Sequence, residues 1–377
     1  MAIWSFPTRV VFGAGEVART GEEAKSFGIK RALVLTDTGV VRAGLVDSVK
    51  EALSRAGVEA VVFDGVEANP TEANIEDAVK AYAAAGADGA VAIGGGSVLD
   101  AAKLVVLRAK VSLPFEELDD AVDGYKHIPA GIPPVIALPT TAGTGSEVGR
   151  SGVLTVRSTG RKTVVFSPYL IPRVAILDPA LTRSMPARTT AATGFDALTH
   201  CLEAYVSRGD HPMADAVALG GLELVAKHLK DAVHRGDDLE ARGGMMKAAM
   251  MGAVAFQKGL GACHSLAHPL SSECGLHHGL ANALCLPAVV DWNEAVAHDK
   301  LGRIARIFGG NGSAGSCAAV LKELRTAVGL PERLSESGVE KSALARLADY
   351  AIKDACHTSN PRPCTREDLF GLYERSF

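Results

Sequence analysis

In GAVAIGGGSVLDAAK, residues 89–103, a short apolar run gives way to three glycines and a serine, and then to a helical pattern. Gly89 to Ile93 is apolar, brief and bounded by turn residues, which suits a strand buried on both faces. VLDAAKLVVL, residues 98–107, reads as a helix. Between them, Gly94, Gly95 and Gly96 let the backbone approach a ligand, and Ser97 is expected to cap the new helix with Asp100 at its third position. Free N–H groups and the helix dipole at such a start favour a phosphate. A glycine triplet is equally an ordinary tight turn, so its neighbours decide its meaning.

The same alternation extends outward on both sides. Arg9 to Phe12, Arg31 to Thr36, Glu59 to Phe63 and Pro134 to Leu138 read as strands. Gly44 to Ala56 and Thr71 to Ala85 read as helices, the second with Thr71 as its N-cap. Apolar strands alternating with such helices predict a mostly parallel sheet covered by helices, with ligands bound beyond the carboxyl ends of the strands. A second loop leaves such an end, PTTAGTGSE at residues 139–147, offering hydroxyls and exposed backbone. Asp37 closes an early strand, where a carboxylate accepts from ribose hydroxyls and repels a 2′-phosphate, favouring NAD over NADP. No G-x-G-x-x-G follows the first strand, so the pattern is Rossmann-like without the usual fingerprint.

After Asp178-Pro179 the texture changes. Helical candidates follow one another at 189–205, 213–228, 241–256, 281–297, 301–307, 316–328, 341–353 and 366–374. Two domains result, an α/β domain over 1–182 and an all-helical one over 183–377. The second holds a dense histidine stretch, GACHSLAHPLSSECGLHHG at 261–279, with His264, His268, His277 and His278. Pro269 and the following SSECG read as a loop inside it. Upstream, GFDALTHCLEAY places Asp196 and His200 at i, i+4, on one helical face. A carboxylate with several imidazoles suits Fe(II) or Zn(II). Any one of these histidines alone is more simply a satisfied or surface residue; together, beside a phosphate-type loop, they predict one metal site.

Composition narrows the class. The 377 residues are 47% hydrophobic and 22% charged with net charge −4, and no block of like charge invites nucleic acid or an anionic membrane. No apolar run reaches membrane-spanning length, and MAIWSFPTRVVFG lacks the form of a signal peptide. Seven scattered cysteines with no C-x-x-C pair suit reduced thiols of a cytoplasmic protein.

GGGSVLDAAK (94–103), LPTTAGTGSEV (138–148), GFDALTHCLEAY (194–205) and HSLAHPLSSECGLHHGLANALCLP (264–287) resemble the signatures of the iron-containing, group III alcohol dehydrogenases, the lactaldehyde reductase and 1,3-propanediol dehydrogenase type in particular. The resemblance runs from RVVFGAG to CHTSNPRP, nearly the whole chain. It implies a dehydroquinate synthase-like architecture, a Rossmann-like domain plus a helical domain with a cleft between them, and dimers or larger assemblies. It implies metal ligands at Asp196, His200, His264 and His278, and a catalytic or substrate-binding role for His268 beside the metal. Its NAD contacts fall on Asp37, Asn69, Gly95, Gly96, Ser97, Asp100, Thr140, Thr141, Thr144 and Lys162. Phe256, Cys356 and Ser151 match positions lining the substrate cleft. Ser151, Gln257-Lys258 and His277 depart from the family's usual residues or vary within it, which bears on the substrate rather than the reaction.

The expected chemistry is NAD-linked hydride transfer between a small alcohol and its aldehyde or ketone, the metal polarising the substrate oxygen at His278 and its companions. His268 is the candidate proton carrier, with ribose hydroxyls or His277 as helpers. A dehydroquinate synthase-like lyase is the competing enzyme reading. It requires a dense basic cluster for an anionic substrate, where the sequence offers only Lys162 and Arg150. A non-catalytic metal-binding protein accounts for the histidines but not for the glycine loop, Asp37 and the threonine-rich loop together.

Overall fold

The computed structural model describes residues 8–158 and 162–377. The stretch read above for a signal peptide falls, over residues 1–7, outside them. The described chain divides into two compact units, one of residues 8–141 and 145–184, the other of residues 142–144 and 185–377. The division after Ser184 lies two residues beyond the expected boundary, and the short segment 142–144 goes with the helical unit.

The first unit is built on a six-stranded sheet in the order β1-β8-β5-β4-β2-β3. Its strands are β1 (Arg9–Phe12), β2 (Arg31–Leu35), β3 (Glu59–Phe63), β4 (Gly89–Gly94), β5 (Val135–Pro139) and β8 (Val174–Leu177), and every pairing is parallel. β6 (Ser151–Thr155) and β7 (Lys162–Phe166) form a separate antiparallel hairpin. The helices of this unit are α1 (Thr20–Ser26), α2 (Thr38–Arg42), α3 (Leu45–Arg55), α4 (Glu72–Ala84) and α5 (Gly96–Arg108). Apolar clusters cover both faces of the sheet, with Leu33, Leu35 and Ala92 on one and Val34, Val91 and Ile93 on the other. β4 and β5 are buried at every position, which explains their continuous apolar sequence. Because the strands are parallel, the ends of β5, β4 and β2 lie side by side along one edge, carrying Thr140, Gly95 and Asp37.

Three strands, β6, β7 and β8, were not expected from the sequence. β8 is four residues long, and the hairpin strands include Gly152 and polar residues, so neither gives a strong period.

The capping of α5 also differs from expectation. Its N-cap is Gly95, with no side chain capping it, and Ser97 lies inside the first turn. Ser97 Oγ donates instead to the Ala68 carbonyl at 2.5 Å, tying this loop to the one that carries Asn69. Asp100 turns away from the helix start. It accepts from Ser146 Oγ at 2.5 Å and from the Val153 N–H at 3.3 Å. The first turn of α5 is therefore left to whatever binds there.

Lys103, fully buried on α5, fixes the second loop. Its ammonium donates to Ser146 Oγ at 2.6 Å and to the Ser151 carbonyl at 2.8 Å, with Asp100 Oδ1 at 3.4 Å. Burial lowers the pKa of Lys103, opposed by Asp100 and Glu147. Glu147, also buried, is pushed up to about 7 by burial, against a backbone hydrogen bond and Lys103.

The second unit is helical: α6 (Ala187–Val206), α7 (Pro212–His234), α8 (Leu239–Ala255), α9 (Ala262–Cys274), α10 (His278–Ile307), α11 (Gly315–Ala327), α12 (Leu344–Ala351) and α13 (Arg366–Ser376). α10 joins two expected helices across a kink at Ala297. The expected loop after Pro269 is instead helix. α9 runs through Pro269 to Cys274 and stops at Gly275, whose φ of 66° is left-handed. Buried Leu266, Ala267 and Leu270 anchor the helix on both sides of the proline, so packing outweighs its helix-breaking tendency. Among the described residues, no helix is long and apolar enough to cross a membrane.

The buried Glu147 makes a pH prediction. Its folded pKa of about 7 lies above its ordinary value, so its contribution to stability is complete below about pH 4.5 and is lost as pH rises through 7. Between pH 4.5 and 8, wild type should lose on the order of 3 kcal/mol more stability than Glu147→Gln. Denaturation of both proteins at the two pH values measures the difference.

Candidate metal centre

α6 is buried along nearly its whole length, and it carries Asp196, His200 and Glu203 on one face at i, i+4 and i+7. α9 starts after Gly261 and presents His264 in its first turn. α10 starts at His278. It approaches α6 closely at Gly279, where a Cβ would lie 2.1 Å from the Ala192 carbonyl oxygen and 3.2 Å from Asp196 Cβ.

These elements bring one donor atom each of Asp196, His200 and His264 within 4.8 Å of one another, all three residues buried. His278 completes the ring of donors, its Nε2 3.4 Å from Asp196 Oδ1. The imidazoles pack together, His200 stacked on His264 at 4.7 Å and His264 tilted to His278 at 5.5 Å. Phe256 lies against His200 at 5.1 Å.

Burial opposes the charge of Asp196, yet His200, His278, His264 and the Asn282 amide hold its carboxyl below the ordinary range. No lysine or arginine is among those neighbours. Burial drives His200 down to about 4 and His278 well below its ordinary value, against the pull of Asp196. Both rings are therefore neutral and offer lone pairs. The Gly143 backbone lies beside the His200 ring, yet His200 Nδ1 is buried without a well-formed hydrogen bond. A buried carboxylate facing two neutral imidazoles, with no lysine or arginine among the groups acting on it, is the donor set of a divalent cation. The residues present fit a metal.

Two residues of this site escaped the sequence reading. Glu203, 1% exposed, accepts from His264 Nδ1 at 2.6 Å. It also accepts the N–H of Cys263 at 2.7 Å and that of His264 at 3.4 Å. α9 has no cap of its own, so this carboxylate from α6 caps it and orients His264 at once. Burial disfavours imidazolium at His264, but Glu203, followed by Asp196 and Asp354, raises its pKa above the ordinary value. With Nδ1 engaged, Nε2 is the nitrogen left to a ligand. Asn282, four residues after His278, donates from Nδ2 to Asp196 Oδ1 at 2.8 Å. Both residues were signalled by helical spacing, Glu203 three residues after His200 and Asn282 one turn after His278.

His268 does not join the buried donors. It stacks on His278 at 5.3 Å, with 36% of its side chain exposed, and falls in a second group with Asp354 and Cys356. His277 immediately precedes α10 and is exposed, with partial desolvation of the ring lowering its pKa. The expected cofactor residues lie mostly in the α/β unit. Asp37 ends β2 and caps α2, its Oδ1 accepting from the Gly39 and Val40 N–H groups at 2.7 and 3.0 Å. Gly95, Gly96 and Ser97 open α5; Thr140 and Thr141 follow β5; Asn69 lies in the loop before α4. Lys162 begins β7, lowered in pKa by burial with Asp100 opposing. Ser151 is in this unit, bound through its carbonyl to Lys103. Thr144 belongs to the segment that goes with the helical unit.

Comparison with known proteins completes the assignment. The family model described as iron-containing alcohol dehydrogenase matches residues 7–179, and that of the Fe-containing alcohol dehydrogenase C-terminal region matches residues 190–377. The chain belongs to the iron-containing alcohol dehydrogenase family. A 4-hydroxybutyrate dehydrogenase of Cupriavidus necator is 38% identical over the full length of both chains. The crystal structure of a 1,3-propanediol oxidoreductase superposes with a TM-score of 0.96 at 35% identity, covering 100% of each chain. A sulfoacetaldehyde reductase of Bifidobacterium kashiwanohense, solved with NAD+, has a TM-score of 0.90 at 28% identity, covering 100% of this chain and 99% of that one. An α/β unit followed by a helical unit is the dehydroquinate synthase-like plan of these iron-containing alcohol dehydrogenases. The protein is an oxidoreductase of alcohols and aldehydes, and family membership implies NAD and a divalent metal. The lyase reading finds no support among these relatives.

Glu203→Gln should weaken metal binding by about 10- to 100-fold, because the amide no longer provides a charged acceptor for His264 Nδ1–H. Competition with a chromogenic chelator reads the loss.

Proposed function

We propose that this protein interconverts a small, uncharged primary or secondary alcohol and its aldehyde or ketone, using NAD(H) and Fe(II). The observation that carries the proposal is the buried group of Asp196, His200 and His264 with the half-buried His278 beside it, and with no lysine or arginine among the groups acting on Asp196. Asp196, His200, His264 and His278 would hold the metal. The α/β unit would hold the dinucleotide, through Asp37, Asn69, the start of α5 with Asp100, the threonines Thr140, Thr141 and Thr144, and Lys162. When bound, the metal lowers the pKa of the substrate hydroxyl and NAD accepts the hydride.

The chain's own residues do the remaining work. Glu203 keeps His264 in the tautomer that leaves Nε2 to the ligand position. Asn282 restrains Asp196 by donating to Oδ1. His268, partly exposed beside His278, takes the hydroxyl proton and returns it to solvent. Phe256 covers one side of His200 and limits water there. Phe256 and Cys356 would shape the substrate site, and the protein would work in the cytoplasm as a homodimer or larger homo-oligomer.

The test is a panel of short diols, simple alcohols, lactaldehyde and ω-hydroxy acids, followed by NADH absorbance on protein loaded separately with Fe(II) and Zn(II). Turnover of neutral alcohols with Fe(II) is expected. Exclusive turnover of hydroxy acids would overturn the substrate class. His264→Ala should lose the metal and all measurable turnover, read by metal content and NADH formation. Removing the charge of Asp37 while keeping a capping hydroxyl, as in Asp37→Ser, should shift the ratio of NADP to NAD efficiency upward by about tenfold or more.

A further inference from the structure

His268 and His264 lie one turn apart on α9, and each gives its Nδ1 to a carboxylate from another part of the chain. The distances are nearly equal, 2.6 Å from His264 to Glu203 Oε2 and 2.7 Å from His268 to Asp354 Oδ2. Their surroundings differ. His264 and Glu203 are each 1% exposed, whereas His268 and Asp354 are 36% and 21% exposed. A buried pair suits a fixed ligand, and a pair reached by water suits a group that must exchange a proton.

The Asp354 carboxylate is itself held firmly. Its Oδ1 accepts from Ser265 Oγ at 2.7 Å and from the Cys356 N–H at 2.8 Å. Ser265 is buried on α9, three residues before His268, and in turn accepts the His357 N–H at 2.8 Å. Oδ1 is thus anchored and Oδ2 is aimed at His268. Among the described residues, His268 is the one basic side chain within ion-pair distance of Asp354.

We propose that Asp354 is a positioning residue for proton transfer: it fixes His268 as the Nδ1–H tautomer, so that Nε2 presents its lone pair to the substrate hydroxyl. The inference rests on His268 being the proton carrier. During alcohol oxidation the O–H bond breaks and its proton forms the Nε2–H bond. His268 becomes imidazolium, steadied by the Asp354 carboxylate, and later gives the Nε2 proton to water. Without the carboxylate the ring can rotate or adopt the other tautomer, which places a donor where an acceptor is required.

The experiment uses the zinc-loaded full chain with NAD, labelled with 15N-histidine, and compares wild type with Asp354→Asn. The wild-type His268 spectrum, assigned by its disappearance in His268→Gln, should show a protonated Nδ1 and an unprotonated Nε2. In Asp354→Asn this signature should be lost and kcat should fall by about 10²-fold, while KM, zinc content and NAD affinity stay within twofold. Asp354→Glu should restore part of the tautomer signal and part of kcat. Should Asp354→Asn fail to fold, Ser265→Ala provides the second variant. It removes one anchor of the carboxylate and should lower kcat with a matching loss of the Nδ1–H signal. An unchanged tautomer, or kcat within threefold of wild type in Asp354→Asn, would overturn the proposal. Full activity in His268→Gln would instead overturn the proton-carrier reading, and an Asp354-dependent tautomer would then stand as structure without that role.

Discussion

The hydrogen bonds from His264 to Glu203 join two helices that meet nowhere in the sequence. α6 supplies Asp196 and His200 from its own turns, and its hydrogen bonds to His264 come through the carboxylate of Glu203. That one group satisfies two N–H groups at the start of α9 and the Nδ1 of a candidate ligand. Gly261 makes room for it, since a Cβ there would come within 2.6 Å of Glu203 Oε1 and 2.9 Å of Asn360 Oδ1. Burying a carboxylate is costly unless its oxygens are fully engaged, and here α9's first turn provides the donors. Helix position and ligand geometry are therefore set by one interaction rather than by two that could drift apart.

The α/β unit uses an analogous device with the opposite sign. Lys103 is a buried cation whose donors hold Ser146 Oγ and the Ser151 carbonyl, while Asp100 receives Ser146 and Val153. The loop after β5 and the start of the β6–β7 hairpin are thus fastened to α5. No side chain caps the start of that helix, so the N–H groups of its glycines can serve a phosphate.

Much of this organisation was readable in the sequence, because its strongest signals are local. Buried parallel strands announce themselves as unbroken apolar runs, and β4 and β5 are buried at every position. The i, i+4 spacing of Asp196 and His200 survives unchanged because α6 is regular through it. What escaped depended on tertiary packing. Pro269 reads as a break, but the buried residues around it hold the helix straight through. Ser97 reads as a cap, but its hydroxyl finds the Ala68 carbonyl in another loop. Glu203 looks like one more helical glutamate until α9 is placed against it. Asp354 lies 86 residues from His268 with no periodic signal linking them.

Pro269 has a consequence for motion. Lacking an N–H, it leaves the Ser265 carbonyl without its usual partner one turn on, so the hydrogen-bond ladder of α9 is interrupted between its histidine-bearing first turns and its C-terminal half. The first turns are braced from outside as well, by Glu203 on one side and Asp354 on the other. With one rung missing the helix stays continuous, and the two carboxylates add the orientation of each ring. The stiffness of the histidine pair is borrowed from two carboxylates, and whatever loosens either carboxylate reaches the histidines before it reaches the fold.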